Sequence, residues 1–343
     1  MANRLLGLLL AAAISTVVFA DTVVLNPNHP DRYVVVKGDT LWDISARFLR
    51  DPWLWPEVWY VNPQIENPHL IYPGDIISLV YVDGQPQLRL QRGGRPTIKL
   101  SPRVRAERID QAIPTIPIDA IKQFLTRPLV VEKDELANAP YIVESADEHL
   151  ITGAGDRIYV RGIDGEDYRS YNVVRPGDAY VDPDTGEVLG YEALFLADAQ
   201  VQRFGDPATL KVVRSEREAG IGDRLVPVLN EEIHTTFYPR APEGSVDGRI
   251  ISVVDGVSQI GQYAVVTINR GKREGLEPGH VLRVWQAGET IIDQVSARKN
   301  DKVTLPDEEA GLLLVFRSFD KVSFGLVMEA TRPIHVLDKV TNP

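Results

Sequence analysis

The chain of 343 residues contains no cysteine, and that absence removes several functions at once. No disulfide can staple the fold, so every domain must be held by burial alone. No thiolate is present to act as nucleophile for a cysteine peptidase or an L,D-transpeptidase, and no thiol is available to carry a lipid. Histidine is sparse. The six residues, at 29, 69, 149, 234, 280 and 335, are scattered, and no His-Glu-x-x-His occurs, so neither a metal centre nor a cofactor is expected. Beyond residue 20 no apolar run reaches spanning length, so no other segment is expected to cross a membrane as a helix. Basic residues are outnumbered 37 to 48, and the net charge of −11 argues against nucleic acid as a general partner.

What is present begins at the N-terminus. Met1-Ala-Asn-Arg4 is weakly positive, Leu5 to Phe19 is almost wholly apolar, and Val18-Phe19-Ala20 closes on a small residue. This three-part plan predicts a secretory signal peptide over 1–20, cut after Ala20. The charge is then unevenly spread. Residues 1–82 carry five basic and eight acidic side chains, and residues 83–130 carry nine and four. The remainder is therefore about −13, and a basic stretch joins two acidic parts. Its cluster is Arg89, Arg92, Arg95, Lys99, Arg103, Arg105 and Arg108, and Gly93-Gly94, Pro96, Pro102, Pro114 and Pro117 interrupt it. That composition predicts an extended linker over 83–130. It serves either as a solvated tether or as a basic strap for an acidic partner or for the carboxylates of wall peptides.

Ahead of the linker three segments carry a recognisable order: Tyr33-Val-Val-Val36, Lys37-Gly-Asp-Thr-Leu-Trp-Asp43 and Asn67-Pro-His-Leu-Ile-Tyr-Pro-Gly-Asp75. A short β-branched strand turns at Gly38, where positive φ costs glycine nothing. Thr40 and Asp43 form a capping-box-like helix start, and Leu41, Ile44, Phe48 and Leu49 share one helical face. A second helix is expected from Pro56 to Asn62, stopped by Pro63. Pro73-Gly74 has type II turn chemistry, and Ile76 to Leu79 form the closing strand. Two helices must cover a two-stranded sheet, which is not stable alone.

Residues 31–82 thus resemble a LysM domain, the small βααβ fold that grips N-acetylglucosamine in peptidoglycan or chitin. The resemblance implies binding at two loops. Backbone groups at Gly38, Asp39, Thr40 and Leu41 would read the acetamido group, and Asn67, Pro68, His69, Leu70, Ile71 and Tyr72 would form the opposite wall. With net hydrogen bonds of about 1 kcal/mol each, one shallow groove binds weakly, and retention needs several copies on one glycan network. Of the tryptophans in the module, Trp55 and Trp59 are expected in the core. Trp53, in a loop, is a candidate sugar platform or partner contact. The module is expected to fold as an independent fragment.

From Val131 the chain becomes short β-rich runs punctuated by Gly, Asp and Pro, as in Asp156-Arg-Ile-Tyr-Val160 and His280-Val-Leu-Arg-Val-Trp285. Small barrels or sandwiches are expected. Residues 210–225 parallel residues 325–340 without a gap, with Arg217 on Arg332, Asp223 on Asp338 and Arg224 on Lys339. Two related β domains follow, over 131–240 and 243–343. Asp182-Pro-Asp-Thr-Gly-Glu187 resembles a calcium loop superficially but lacks the later bidentate Glu, and a hairpin turn accounts for it better.

The whole arrangement resembles the family of type IV pilus secretin-associated proteins. The part around Gly271-Lys-Arg-Glu-Gly-Leu-Glu-Pro-Gly-His280 is similar to the C-terminal part of flagellar assembly protein T. The resemblance implies a non-enzymatic periplasmic protein that binds peptidoglycan and anchors the outer-membrane secretin, in several copies around the pore. It assigns no secretin-contacting residues. The alternatives are a general wall-binding envelope protein with another partner, or a divergent wall hydrolase.

Overall fold

The computed structural model describes residues 23–59, 70–92, 112–125, 127, 130–146, 152–228, 236–254, 260–295, 298 and 300–343. The expected signal peptide and the middle of the expected linker lie outside these residues. No helix among them is long and apolar enough to cross a membrane.

The N-terminal module contains β1 (Arg32–Val34), α1 (Leu41–Phe48), α2 (Trp55–Val58), β2 (Ile76–Val82) and β3 (Gln85–Gln91), with a 3-10 turn at Pro52–Leu54 ahead of α2. Thr40 caps α1, its hydroxyl oxygen accepting the Asp43 N–H at 3.1 Å. The Asp43 carboxylate takes the Thr40 hydroxyl at 2.8 Å rather than a backbone donor. Two expectations are corrected here. The sheet has three antiparallel strands in the order β1-β2-β3, not two, and β3 lies inside the stretch read as linker. Asp83 and Gly84, both at positive φ (50° and 81°), make the two-residue turn that such a hairpin favours. The second helix is one turn long and stops before Trp59. The backbone of Trp59 is drawn into an extended bridge with Leu88 of β3.

After α3 (Ile118–Leu125), β4 (Val130–Val131) and α4 (Lys133–Asn138) come β5 (Tyr141–Ser145), β6 (Arg157–Arg161), β7 (Ser170–Val181), β8 (Val188–Arg203), β9 (Ala208–Ser215) and β10 (Arg224–Pro227). These last six pair in the cycle β5-β6-β9-β8-β7-β10, which returns to β5, while β4 joins the early part of β8. A closed barrel follows, made of β11 (Asp247–Val253), β12 (Val265–Ile268), β13 (Val281–Gln286), β16 (Glu308–Ser318), β17 (Ser323–Ala330) and β18 (Lys339–Thr341). A separate hairpin, β14 (Thr290–Ile292) and β15 (Lys302–Thr304), is inserted after β13. Its cycle is β11-β12-β17-β16-β13-β18. With the inserted hairpin set aside, both cycles run first-second-fifth-fourth-third-sixth strand.

The two rings also match bond for bond. The Ile142 N–H donates to the Asp223 carbonyl, as Ile250 does to Asp338. Gly222 donates to Ile142 and Leu337 to Ile250; Thr152 donates to Ala219 and Ile260 to Ile334. In each ring a buried aspartate closes the turn into the last strand. Asp223 accepts from the Gly220 N–H at 2.7 Å, and Asp338 from the His335 N–H at 2.8 Å. Separate apolar clusters fill them: Ile142, Ile158, Val160, Leu210 and Leu225 in the first, and Ile250, Val266, Leu282, Leu313 and Val340 in the second.

Residues 182–187 are the tip of the β7–β8 hairpin, and their carboxylates dock it on the second barrel. Asp182 pairs with Arg270 at 3.1 Å, Asp184 with Arg249 at 2.9 Å, and Glu187 with Arg273 and Lys321 at 2.9 and 3.0 Å. Hydrogen bonds from Arg273 and then Lys321 hold the Glu187 carboxyl down at about 2.

The module packs directly on the second barrel. Ile113, Ile116, Ile121 and Phe124 join its core residues in one cluster with Leu312, Leu314, Phe316, Phe324, Leu326 and Met328. The Tyr263 hydroxyl donates to Asp43 at 3.3 Å, and the Trp55 and Tyr238 rings lie 6.3 Å apart. Residues 31–82, expected as a self-contained fragment, thus exclude β3 and the segment at 113–124 that share the module's cluster.

Two outcomes test this architecture. Asp338→Ala removes the charged acceptor of the His335 N–H and should lower the unfolding free energy by about 1–3 kcal/mol in denaturant titrations. Glu187 is depressed below its ordinary 4.5. Its contribution is complete above that value and is lost as pH falls toward about 2. Thermal melts over that window should decline more steeply for the native chain than for Glu187→Gln. Parallel declines would mean that the pair contributes nothing.

Candidate functional site

The two loops named from the sequence lie at one end of the module's sheet. The first follows β1. Gly38 adopts φ of 99°, and Asp39 folds its carboxylate back to accept the Val36 N–H at 2.8 Å and the Tyr33 hydroxyl at 3.1 Å. Burial, and then the bond to Asp39, holds the Tyr33 phenol above its ordinary range. Asp39 therefore shapes the turn rather than facing a ligand. Thr40 and Leu41 are buried at the start of α1.

The second loop leads into β2. The Asp75 N–H donates to the Tyr72 carbonyl at 3.0 Å across Pro73-Gly74, and Gly74 has the positive φ (93°) of a type II turn. The buried Asp75 carboxylate accepts the Tyr72 N–H at 3.0 Å and Arg92 at 2.7 Å. Arg92 also donates to the Leu70 carbonyl at 2.8 Å and lies 5.5 Å from the Tyr72 ring centroid. Ile71 is fully buried and Leu70 is exposed. Asn67, Pro68 and His69 lie outside the described residues.

The structure brings Leu41 and Ile71 to a shared partner. Residues 113–115 run between the loops, with the Ile113 N–H donating to the Ile71 carbonyl at 2.8 Å. The Leu41 and Trp42 N–H groups donate to the carbonyls of Pro114 and Thr115 at 3.0 and 3.1 Å. These are the orphan donors that a helix leaves at its first turn. Ile113 and Ile116 are buried, and the Thr115 hydroxyl accepts the Phe237 N–H at 3.3 Å. Sequence reasoning missed Trp42, Arg92 and this segment. The apolar positions of Ile113-Pro-Thr-Ile-Pro-Ile118 were the available signal.

Trp53, the candidate sugar platform or partner contact, is buried in the module's core with Trp42 and Trp55. A cleft of about 400 Å³ lies between α1 and the second barrel, lined by Asn26, Trp42, Asp43, Arg50, Gln262 and Glu329 among others. Burial, and then Glu309 and Asp51, hold the Glu329 carboxyl above its ordinary value. Among the described residues no group of three or more His, Asp or Glu side chains is placed to hold a metal ion. What the two loops offer is therefore backbone chemistry, with donors at the start of α1 and an acceptor at Ile71, matched to a secondary amide.

Residues 33–80 match the LysM domain family. The uncharacterized protein YqbP of Bacillus subtilis (strain 168) is 37% identical over 60 residues, which cover 15% of this chain and 27% of that protein. The match thus spans about a quarter of that relative and leaves most of this chain unmatched. Together with the topology, these findings describe an N-terminal LysM domain followed by a mostly β region that contains a closed six-stranded barrel.

Gly38 tests the first loop. A Cβ there meets no atom within 4 Å, so Gly38→Ala adds only backbone strain, about 1–3 kcal/mol. Chemical denaturation should show that loss while the far-UV spectrum stays native.

Proposed function

We propose that the chain is a non-enzymatic, exported peptidoglycan-binding protein. In this reading the LysM domain holds N-acetylglucosamine-containing glycan, and the β region holds the outer-membrane secretin of a type IV pilus. The observation that carries the first half is the LysM domain at residues 33–80, whose loops present amide donors and an acceptor rather than catalytic side chains. The second half is supported by the order of parts: a signal-peptide-like start, one LysM domain, a basic stretch and tandem β barrels. That order resembles the secretin-associated family.

The charge pattern fits the same reading. An acidic β region repels nucleic acid and suits a protein partner. One shallow groove is weak, so several copies arranged around a ring-shaped pore would multiply retention on the wall. Peptidoglycan lies in the periplasm of a cell that has an outer membrane, which is where an exported chain of this kind would act.

Purified full-length protein should sediment with isolated sacculi, be released by soluble chito-oligosaccharide, and liberate no muropeptides. Failure to sediment would overturn glycan binding, and released muropeptides would restore a hydrolase. The same protein used as bait on solubilised outer membranes should recover a secretin. Recovery of a different envelope protein would favour a general wall-binding role.

A further inference from the structure

We infer that residues 113–116 occupy the glycan groove as an internal competitor, so that this LysM domain takes an N-acetylglucosamine chain only when that segment has moved out. The inference rests on the glycan-binding reading above and concerns the regulation of the same site.

An N-acetyl substituent is a secondary amide with one N–H and one C=O. The segment presents the same two groups to the same partners. The Ile113 N–H lies 2.8 Å from the Ile71 carbonyl, and the carbonyls of Pro114 and Thr115 lie 3.0 and 3.1 Å from the N–H groups of Leu41 and Trp42. Each of those donors has a single proton, already directed at a chain carbonyl. A sugar reading the first turn of α1 must therefore replace peptide bonds of the protein itself.

Side chains hold the segment in place. Ile113 and Ile116 are buried in the cluster that the module shares with the second barrel. Thr115 is tied to the Phe237 N–H. Further along, Arg317 of β16 donates to the carbonyls of Phe124, at 3.0 Å, and of Arg127. Through the shared cluster the segment is gripped by the module and by the barrel. A tethered competitor acts at an effective concentration on the order of millimolar, enough to suppress a weak single-site ligand. The apparent affinity falls in proportion to the fraction of molecules whose groove is open.

The test uses the full chain and N-acetyl-chitotetraose. Hydrogen exchange at the Ile113 amide, which is bonded to the Ile71 carbonyl, should be slow in the free protein and should accelerate when the tetrasaccharide is saturating. Ile113→Asp places a charge where the segment is buried and should release it, tightening the dissociation constant measured by calorimetry by roughly tenfold or more. Unchanged protection at saturation, with equal affinities for the two proteins, would overturn the competitor while leaving glycan binding intact. No binding by either protein would overturn both readings together. Should Ile113→Asp fail to fold, the exchange measurement on the native chain decides by itself.

Discussion

The arrangement depends on a shortage of core in the LysM domain. Three short strands and two short helices enclose little volume, and without cysteine there is no covalent substitute for burial. Domains of this size bury a small fraction of their surface and are marginal alone. Here the missing cover comes from outside the motif. β3 widens the sheet, the segment at 113–116 closes the groove end, and α3 carries the apolar layer onto the outer face of β16 and β17. The cost is independence: a domain that borrows its core cannot swing freely from the barrel that lends it.

The same demand explains an unusual composition in the barrel. Antiparallel strands usually alternate, with one face in the core and the other wet. β16 is instead apolar on both faces from Ala310 to Phe316. Leu313 and Val315 point into the barrel, while Leu312, Leu314 and Phe316 point out toward the module and α3. Phe324, Leu326 and Met328 of β17 continue the outer layer. The β7–β8 hairpin of the first ring reaches the same outer layer with Tyr180 and Leu189, the Tyr180 and Phe324 rings lying 6.4 Å apart, and adds ion pairs at its tip.

How much of this was legible in the chain depends on whether each signal was local. Tyr33 to Asp75 was readable because turns and caps constrain residue type at fixed spacing: Gly38 and Gly74 need positive φ, and Thr40 must cap α1. The echo between residues 210–225 and 325–340 was readable for the same reason. The turn into the last strand needs a buried aspartate to satisfy its own amides, and Asp223 and Asp338 occupy equivalent places. β3 was missed although Asp83-Gly84 is a good hairpin turn, because polar Gln85, Arg89 and Gln91 on its outer face blended with the basic stretch that follows. α2 was drawn too long because nothing local reveals that Trp59 bridges to Leu88. Trp53 was set in a loop by its neighbours, and only the tertiary fold shows it buried.

The two loops were legible in position, but the chain that joins them was not. Recognition through backbone N–H and C=O groups leaves no side-chain signature, so any residue that permits the turn also permits the groove. A sequence can therefore mark where an amide would be read without showing which amide is there. At Leu41, Trp42 and Ile71 the groups that are read are those of the chain itself, at residues 113–115. Because Ile113 and Ile116 are buried in the cluster shared with the barrel, and Thr115 is tied to Phe237, any ligand that binds the open groove more tightly than the closed one would also alter that hold on the segment. By reciprocity, a partner that loosens that hold raises glycan affinity by the same factor. In that sense the segment at 113–116 belongs both to the loops of the LysM domain and to the contact between the module and the barrel.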